Sequence, residues 1–332
     1  METLWFSFLA FMIAMYIVLD GFDLGVGALH LLVGRDDDER SQSVAAIGPV
    51  WNGNEVWLIA AGGVLFMIFP KVYAAAFSGL YFGLILVLWL LVGRGLGLEL
   101  RHQVDNRLWR DACDAVFCLA SAGLAFVFGV ALANVVRGVP LNADGYFHLP
   151  LFDILNWYAV LVGLFGLVVL TAHGALFLAF RTQGAPAERA RRWARRLWWG
   201  EAALFAGLIA PTYAVREEML TNLVDHPWRL AFPLAATAAL IAVFVFERRG
   251  WWARAFLASS AFIVGLLATV AAGLHPNMLL AREGQPHSLT LDNGTAGDTV
   301  LTTGLIWWPL ALLLAAVYFA LAYRTLVRPA RR

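Results

Sequence analysis

Hydrophobic and polar positions divide the chain into apolar runs of about 20 residues, the length that crosses roughly 30 Å of hydrocarbon as a helix. Nine such runs are predicted: Leu4 to Val33, Val50 to Phe69, Tyr73 to Glu99, Ala112 to Val136, Ile154 to Phe180, Leu197 to Ala214, Leu230 to Phe246, Ala255 to Leu274 and Thr303 to Leu326. Pro211 and Pro233 fall inside the sixth and seventh runs and are expected to interrupt them. The first run lacks a basic leading segment and a cleavage motif of small residues, so it is expected to stay as a span. The pattern predicts an all-α integral membrane protein without a soluble domain.

Composition agrees with that class. Of the 332 residues 61% are hydrophobic and only 14% charged, with mean hydropathy +0.71, against roughly 25% charge in soluble domains. A net charge of +1 argues against a nucleic-acid surface and against an acidic partner. The positions of the basic residues carry more information. With the N-terminus outside, 19 of the 24 Lys and Arg fall in inner segments and only Lys71, Arg137, Arg216, Arg229 and Arg282 in outer ones, which predicts an N-out, C-in topology. Arg328, Arg331 and Arg332 are among the inner set. The outer connections Arg137 to Asp153 and Leu274 to Leu301 read as ordered loops. The basic and aromatic stretch Arg181 to Trp199 reads as an interfacial helix. Cys113 and Cys118 stand five apart, which fits neither a CxxC site nor a disulfide within a helix, and they are expected to be inert thiols.

Against this apolar background the stretch "YIVLDGFDLGVGALHLLV", from Tyr16, places two carboxylates in mid-span. Asp23 and Asp20 lie roughly 15 and 20 Å from the inner end of the first helix, on one face through their i, i+3 spacing. Gly21 and Gly25 form a GxxxG that permits close approach of another helix. The second span begins "GPVWNGNEVWLI", with Asn52, Asn54 and Glu55 in its first turns, and the third ends "LLVGRGLGLELRHQ", with Arg94 and Glu99 at the same inner level. A mid-membrane carboxylate costs about 2.5 to 3.5 kcal/mol on insertion scales and usually faces a partner or a water path. Burial also favours reversible protonation near neutral pH. A ladder from Glu55 and Glu99 up through Asp23 to Asp20 is therefore an expected route for protons entering from the cytoplasm. The alternative is structural: Asn, Asp and Glu serve as interhelical hydrogen-bond glue, with Arg94 and Glu99 a topological ion pair.

Cofactor chemistry is harder to place in this chain. Of seven histidines only His30 and His173 lie within spans, and each reads as a packing or hydrogen-bonding residue. There is no CxxCH, HExxH, Walker or dinucleotide motif. The residues describe a scaffold with a proton-accessible interior, an ion-coupled secondary transporter with a broken-helix site, or a purely architectural subunit.

"LDGFDLGVG", "GPVWNGNEVWLI", "FPKVYAAAFSGLY" and "RGLGLELRH", in this order, resemble subunit II of the cytochrome bd-type quinol oxidases. The resemblance continues through "AHGALFLAFRT" and, more loosely, "PNMLLAREGQPHSLTLDNGTAGDTVLTTGL". It implies nine spans in a bacterial inner membrane, arranged as two four-helix bundles (4–137 and 154–274) and a peripheral helix (303–326). It also implies no haem in this chain, with haem b, or haem b and haem d, held by a partner subunit I that oxidises quinol and reduces dioxygen to water. Small single-span subunits often join such complexes, and some members hold a structural quinone or lipid in subunit II. Asp20, Asp23 and Glu55 match positions associated with proton delivery toward the oxygen-reducing haem. One position departs from the pattern, since the family commonly has W-D-G-N-E where this chain has Asn52. An amide cannot release a proton in this range. Either Asn52 organises water while Glu55 titrates, or protons take another way.

Overall fold

The computed structural model describes residues 1–282 and 287–327. Arg328, Arg331 and Arg332, and residues 283–286 of the last loop motif, lie outside the described residues. In chain order the elements are α1 (Glu2–Val33), α2 (Asp37–Ile47), α3 (Trp51–Ile68), α4 (Pro70–Gly79), α5 (Tyr81–Leu100), α6 (Arg107–Arg137), α7 (Leu151–Ile154), α8 (Trp157–Arg181), α9 (Gly184–Val215) and α10 (Glu217–Val224). A 3-10 turn (Pro227–Leu230) leads into α11 (Ala231–Arg248) and α12 (Trp252–Leu274). Strands β1 (Asn277–Leu279) and β2 (Leu289–Thr290) pair antiparallel, and α13 (Leu291–Gly294) and α14 (Asp298–Val327) follow. Among the described residues seven helices are long and apolar enough to cross a membrane, or eight if the bent pair α3 and α4 counts as one span.

Three predicted boundaries move. The 118° turn between α3 and α4 falls at the predicted gap after Phe69, but the third run is not one helix from Tyr73, because the chain breaks again at Leu80. Pro70 causes the first break by disfavouring helical backbone at Phe69 and lacking its own N–H. At the second, Gly79 lies against the Phe147 ring, where a Cβ would come within 2.3 Å. The predicted interfacial helix and sixth span are one helix, α9, of 32 residues, and Pro211 sits in its penultimate turn without ending it. Pro233 does not interrupt α11 either, since it lies in the first turn, where an N–H would have no intrahelical partner.

Helix α1 is the hub, packing on α3, α6, α8 and α12. Its contact with α8 is backbone to backbone: a Cβ on Gly25 would fall 1.9 Å from the Leu170 carbonyl oxygen, and one on Gly174 would fall 2.3 Å from Gly25. Only residues without side chains allow helices this close. At one end of the molecule Asp36 caps α2, Arg189 donates to the Val33 carbonyl at 2.6 Å and pairs with Glu39, and Arg101 bonds Asp37 at 2.6 Å. At the other end the Val139 N–H donates to Leu280 at 2.8 Å, and Arg216 donates to the carbonyls of Val136, Arg137 and Ala281. Helix α14 leaves its apolar window unburied and touches the rest through Trp308 on Trp5 and Phe319 on Trp57.

Candidate functional site

The in-span polar residues of α1, α3 and α5 meet at one place. Asp20 is fully buried, and both its oxygens accept from Arg94 Nη1 at 2.8 Å. Arg94 Nη2 donates to Glu55 at 2.6 Å, and the guanidinium lies 5.7 Å from the Trp51 ring centre. Asp23 Oδ2 accepts from the Asn54 amide at 2.8 Å, and that amide also donates to the Leu19 carbonyl at 3.1 Å. The second Asp23 oxygen is buried without a partner among the described residues, and the buried Tyr16 hydroxyl lies one turn from Asp20, within its reach. Two carboxyls thus share one guanidinium, and a third, Asp23, stands beside them on the Asn54 amide. With one guanidinium beside three carboxyls, acidic groups outnumber the cation where Asp20 and Asp23 are buried, a costly arrangement for charge. The Glu55 side chain is 29% exposed and forms the cluster's opening.

Two predicted members stand apart. Asn52 is exposed on α3, and Glu99 is exposed in the last turn of α5, outside the ion pairs among the described residues. Arg94 does not pair with Glu99, because five residues along a helix turn the side chain by about 140°; its partners lie on α1 and α3. His173 is a packing residue, with Nδ1 3.0 Å from Ser259, Nε2 3.1 Å from the Val18 carbonyl and its ring stacked on Phe256.

A second network, which the sequence did not single out, closes the far end of the same helices. Asp114, on α6, accepts from His30 Nε2 at 2.8 Å, from Arg101 Nε at 2.6 Å and from Arg40 at 3.2 Å. Arg101 continues to Asp37 and Ser41. The available signal was Asp114 with Ser121, seven apart on one face of an apolar helix. Outside the spans, the Arg189 hydrogen bond holds the Glu39 carboxyl below its usual range. Glu201 on α9 and Glu247 on α11 are two further buried acids that sequence reasoning passed over.

The two in-span histidines do not fit a shared haem. His173 meets α1 at Val18, whereas His30 is twelve residues further along, about 18 Å on a helix, and both His173 nitrogens are engaged.

Residues 1–326 match the family described as cytochrome bd terminal oxidase subunit II. Similar proteins include cytochrome bd ubiquinol oxidase subunit 2 of Bacillus subtilis (strain 168), 31% identical over 302 residues, which are 90% of this chain and 87% of that one. Cytochrome bd-I ubiquinol oxidase subunit 2 of Escherichia coli (strain K12) is 29% identical over 353 residues, 97% of this chain and 93% of that one. A chain of the bd oxidase from Geobacillus thermodenitrificans shares the fold at TM-score 0.80 and 20% identity, over 98% of each chain. An all-α membrane chain matched to the family from Met1 to Leu326 belongs to the cytochrome bd terminal oxidase subunit II family.

Proposed function

We propose that this chain is the non-haem subunit of a quinol:oxygen oxidoreductase of a bacterial inner membrane. It supports a haem-bearing subunit I and supplies part of that subunit's protons. The observation that carries the proton role is the buried Asp20–Arg94–Glu55 cluster with Asp23 and Asn54 beside it. A merely structural ion pair needs one carboxylate; here three carboxyls face one cation, and the surplus gives the site a capacity for protons. Haem b, alone or with haem d, belongs to subunit I in this reading, and this chain's histidines ligate no haem.

The finer architecture is nine spans with the N-terminus outside and the C-terminus inside, as two four-helix bundles and a peripheral last helix. In support, α9 supplies a ninth long helix beyond the eight apolar ones, and connections assigned to the same side pack together at one end. The α3 and α5 surface around Glu55 exposes Val56, Ile59, Leu88, Trp89, Val92 and Leu96, and this apolar face docks subunit I, with Glu55 as the exit toward it. An apolar groove of about 390 Å³ lined by Phe6, Phe11, Met15, Phe232 and His275 suits a structural quinone or lipid tail. Small single-span subunits have room on the remaining lipid-facing surface.

Asp20→Asn and Glu55→Gln should lower oxygen consumption per haem about tenfold, the scale of an impaired proton transfer, while haem content falls much less. Wild-type turnover in both variants would favour the architectural reading. A secondary transporter would instead fold and work without a haem-bearing partner.

A further inference from the structure

Among the buried polar atoms that lack a partner among the described residues, three follow one another along the α1–α6 contact, starting at the acid cluster: Asp23 Oδ1, Ser121 Oγ and His30 Nδ1. Asp20, Asp23, Gly27 and His30 occupy an arc of about 80° on α1, and Asp114 and Ser121 share a face of α6. The two faces oppose each other. His30 Nε2 bonds Asp114 at 2.8 Å, and the Ser121 hydroxyl packs so closely on Gly27 that a Cβ there would meet it at 2.1 Å. Asp23 to His30 spans about 10 Å of helix, and the Ser121 hydroxyl sits at Gly27, between the two. Buried polar atoms are almost always hydrogen-bonded, and isolated ones recruit ordered water.

Resting on the proton-delivery reading, we infer that His30 and Ser121 form the mouth of that path, carrying protons from the α2 end of the molecule to Asp23. Asp114 orients the imidazole through Nε2 and offsets its charge, while Arg101 and Arg40 fix Asp114 and tie it to the half-exposed Asp37 and Asp111. Phe117 packs edge-on against the ring. A proton from water joins Nδ1, turning imidazole to imidazolium; the same nitrogen releases it to the water at Ser121, which passes one on to Asp23. No bond to carbon changes and no electron moves. Gly27 leaves the Ser121 hydroxyl on the line, where any side chain would displace it.

The test compares His30→Gln, Ser121→Ala and Asp20→Asn in the whole purified complex, reading turnover per haem and its solvent deuterium isotope effect. Expected are a roughly tenfold slower His30→Gln, a smaller loss in Ser121→Ala, and a raised isotope effect in both at wild-type haem content, which a purely structural role would not produce. If His30→Gln fails to assemble, Ser121→Ala decides, since it removes one oxygen from a packed site. Slow Asp20→Asn with normal His30→Gln and Ser121→Ala would overturn this mouth and leave the path standing. An unaffected Asp20→Asn would overturn the path and the mouth together.

Discussion

Arg94 is the residue that makes the acid cluster tolerable. It is 1% exposed and binds both Asp20 and Glu55. Removing one side of a buried pair usually costs about 3 to 5 kcal/mol, because the other charge is left uncompensated. Arg94→Gln should therefore cut the amount of haem-containing complex recovered from membranes, and a complex of wild-type yield and heat resistance would show that the cluster is not held by this cation. Asp20 and Asp23 were legible because an acid inside an apolar run has few bland explanations. Arg94's partners were not, since nearness in sequence favoured Glu99 and only the tertiary fold brings α1 and α3 to it. Asp114 and Arg101 escaped notice for a related reason: charges near helix ends read as topology signals until their contacts are known.

At the scale of elements, the Gly25 and Gly174 crossing sets how near α1 comes to α8, and with it the line of α1's polar face. Gly174→Ala puts a Cβ within 2.3 Å of the α1 backbone, so the helices must separate rather than adjust a rotamer. The expected result is less assembled complex and a lower thermal midpoint, measured by loss of the haem spectrum on heating. A variant as stable as wild type would mean that α1 can shift freely. Most spans were readable from length and apolarity. The break at Phe69 was readable too, where Pro70 ends one apolar run and opens the next, whereas the one at Leu80 was not, because a run stays apolar through a turn. The Arg-rich half of α9 looked like a separate surface helix because charge changes along it while helical geometry does not.

Across the whole molecule, the loops of one end are cross-tied by charge. Glu39 on α2 pairs with Arg189 on α9, which also holds the end of α1. The Glu39 carboxyl is lowered from its ordinary value of 4.5 by the Arg189 hydrogen bond, so its contribution to stability is complete above about 4.5 and is lost as pH falls through the lower folded value. Glu39→Gln should thus be less heat-stable than wild type near neutral pH, with the gap closing in acid. A gap that stays constant with pH would remove this tie from the account.

The central claim is that the acids of α1 and α3 carry protons to chemistry in the neighbouring subunit. Its most direct test is time-resolved proton uptake, followed by a pH-sensitive dye, as the fully reduced complex reacts with oxygen. The account predicts that Asp20→Asn, with its haem spectrum unchanged, takes up protons about tenfold more slowly than wild type. Uptake at the wild-type rate and extent would contradict it.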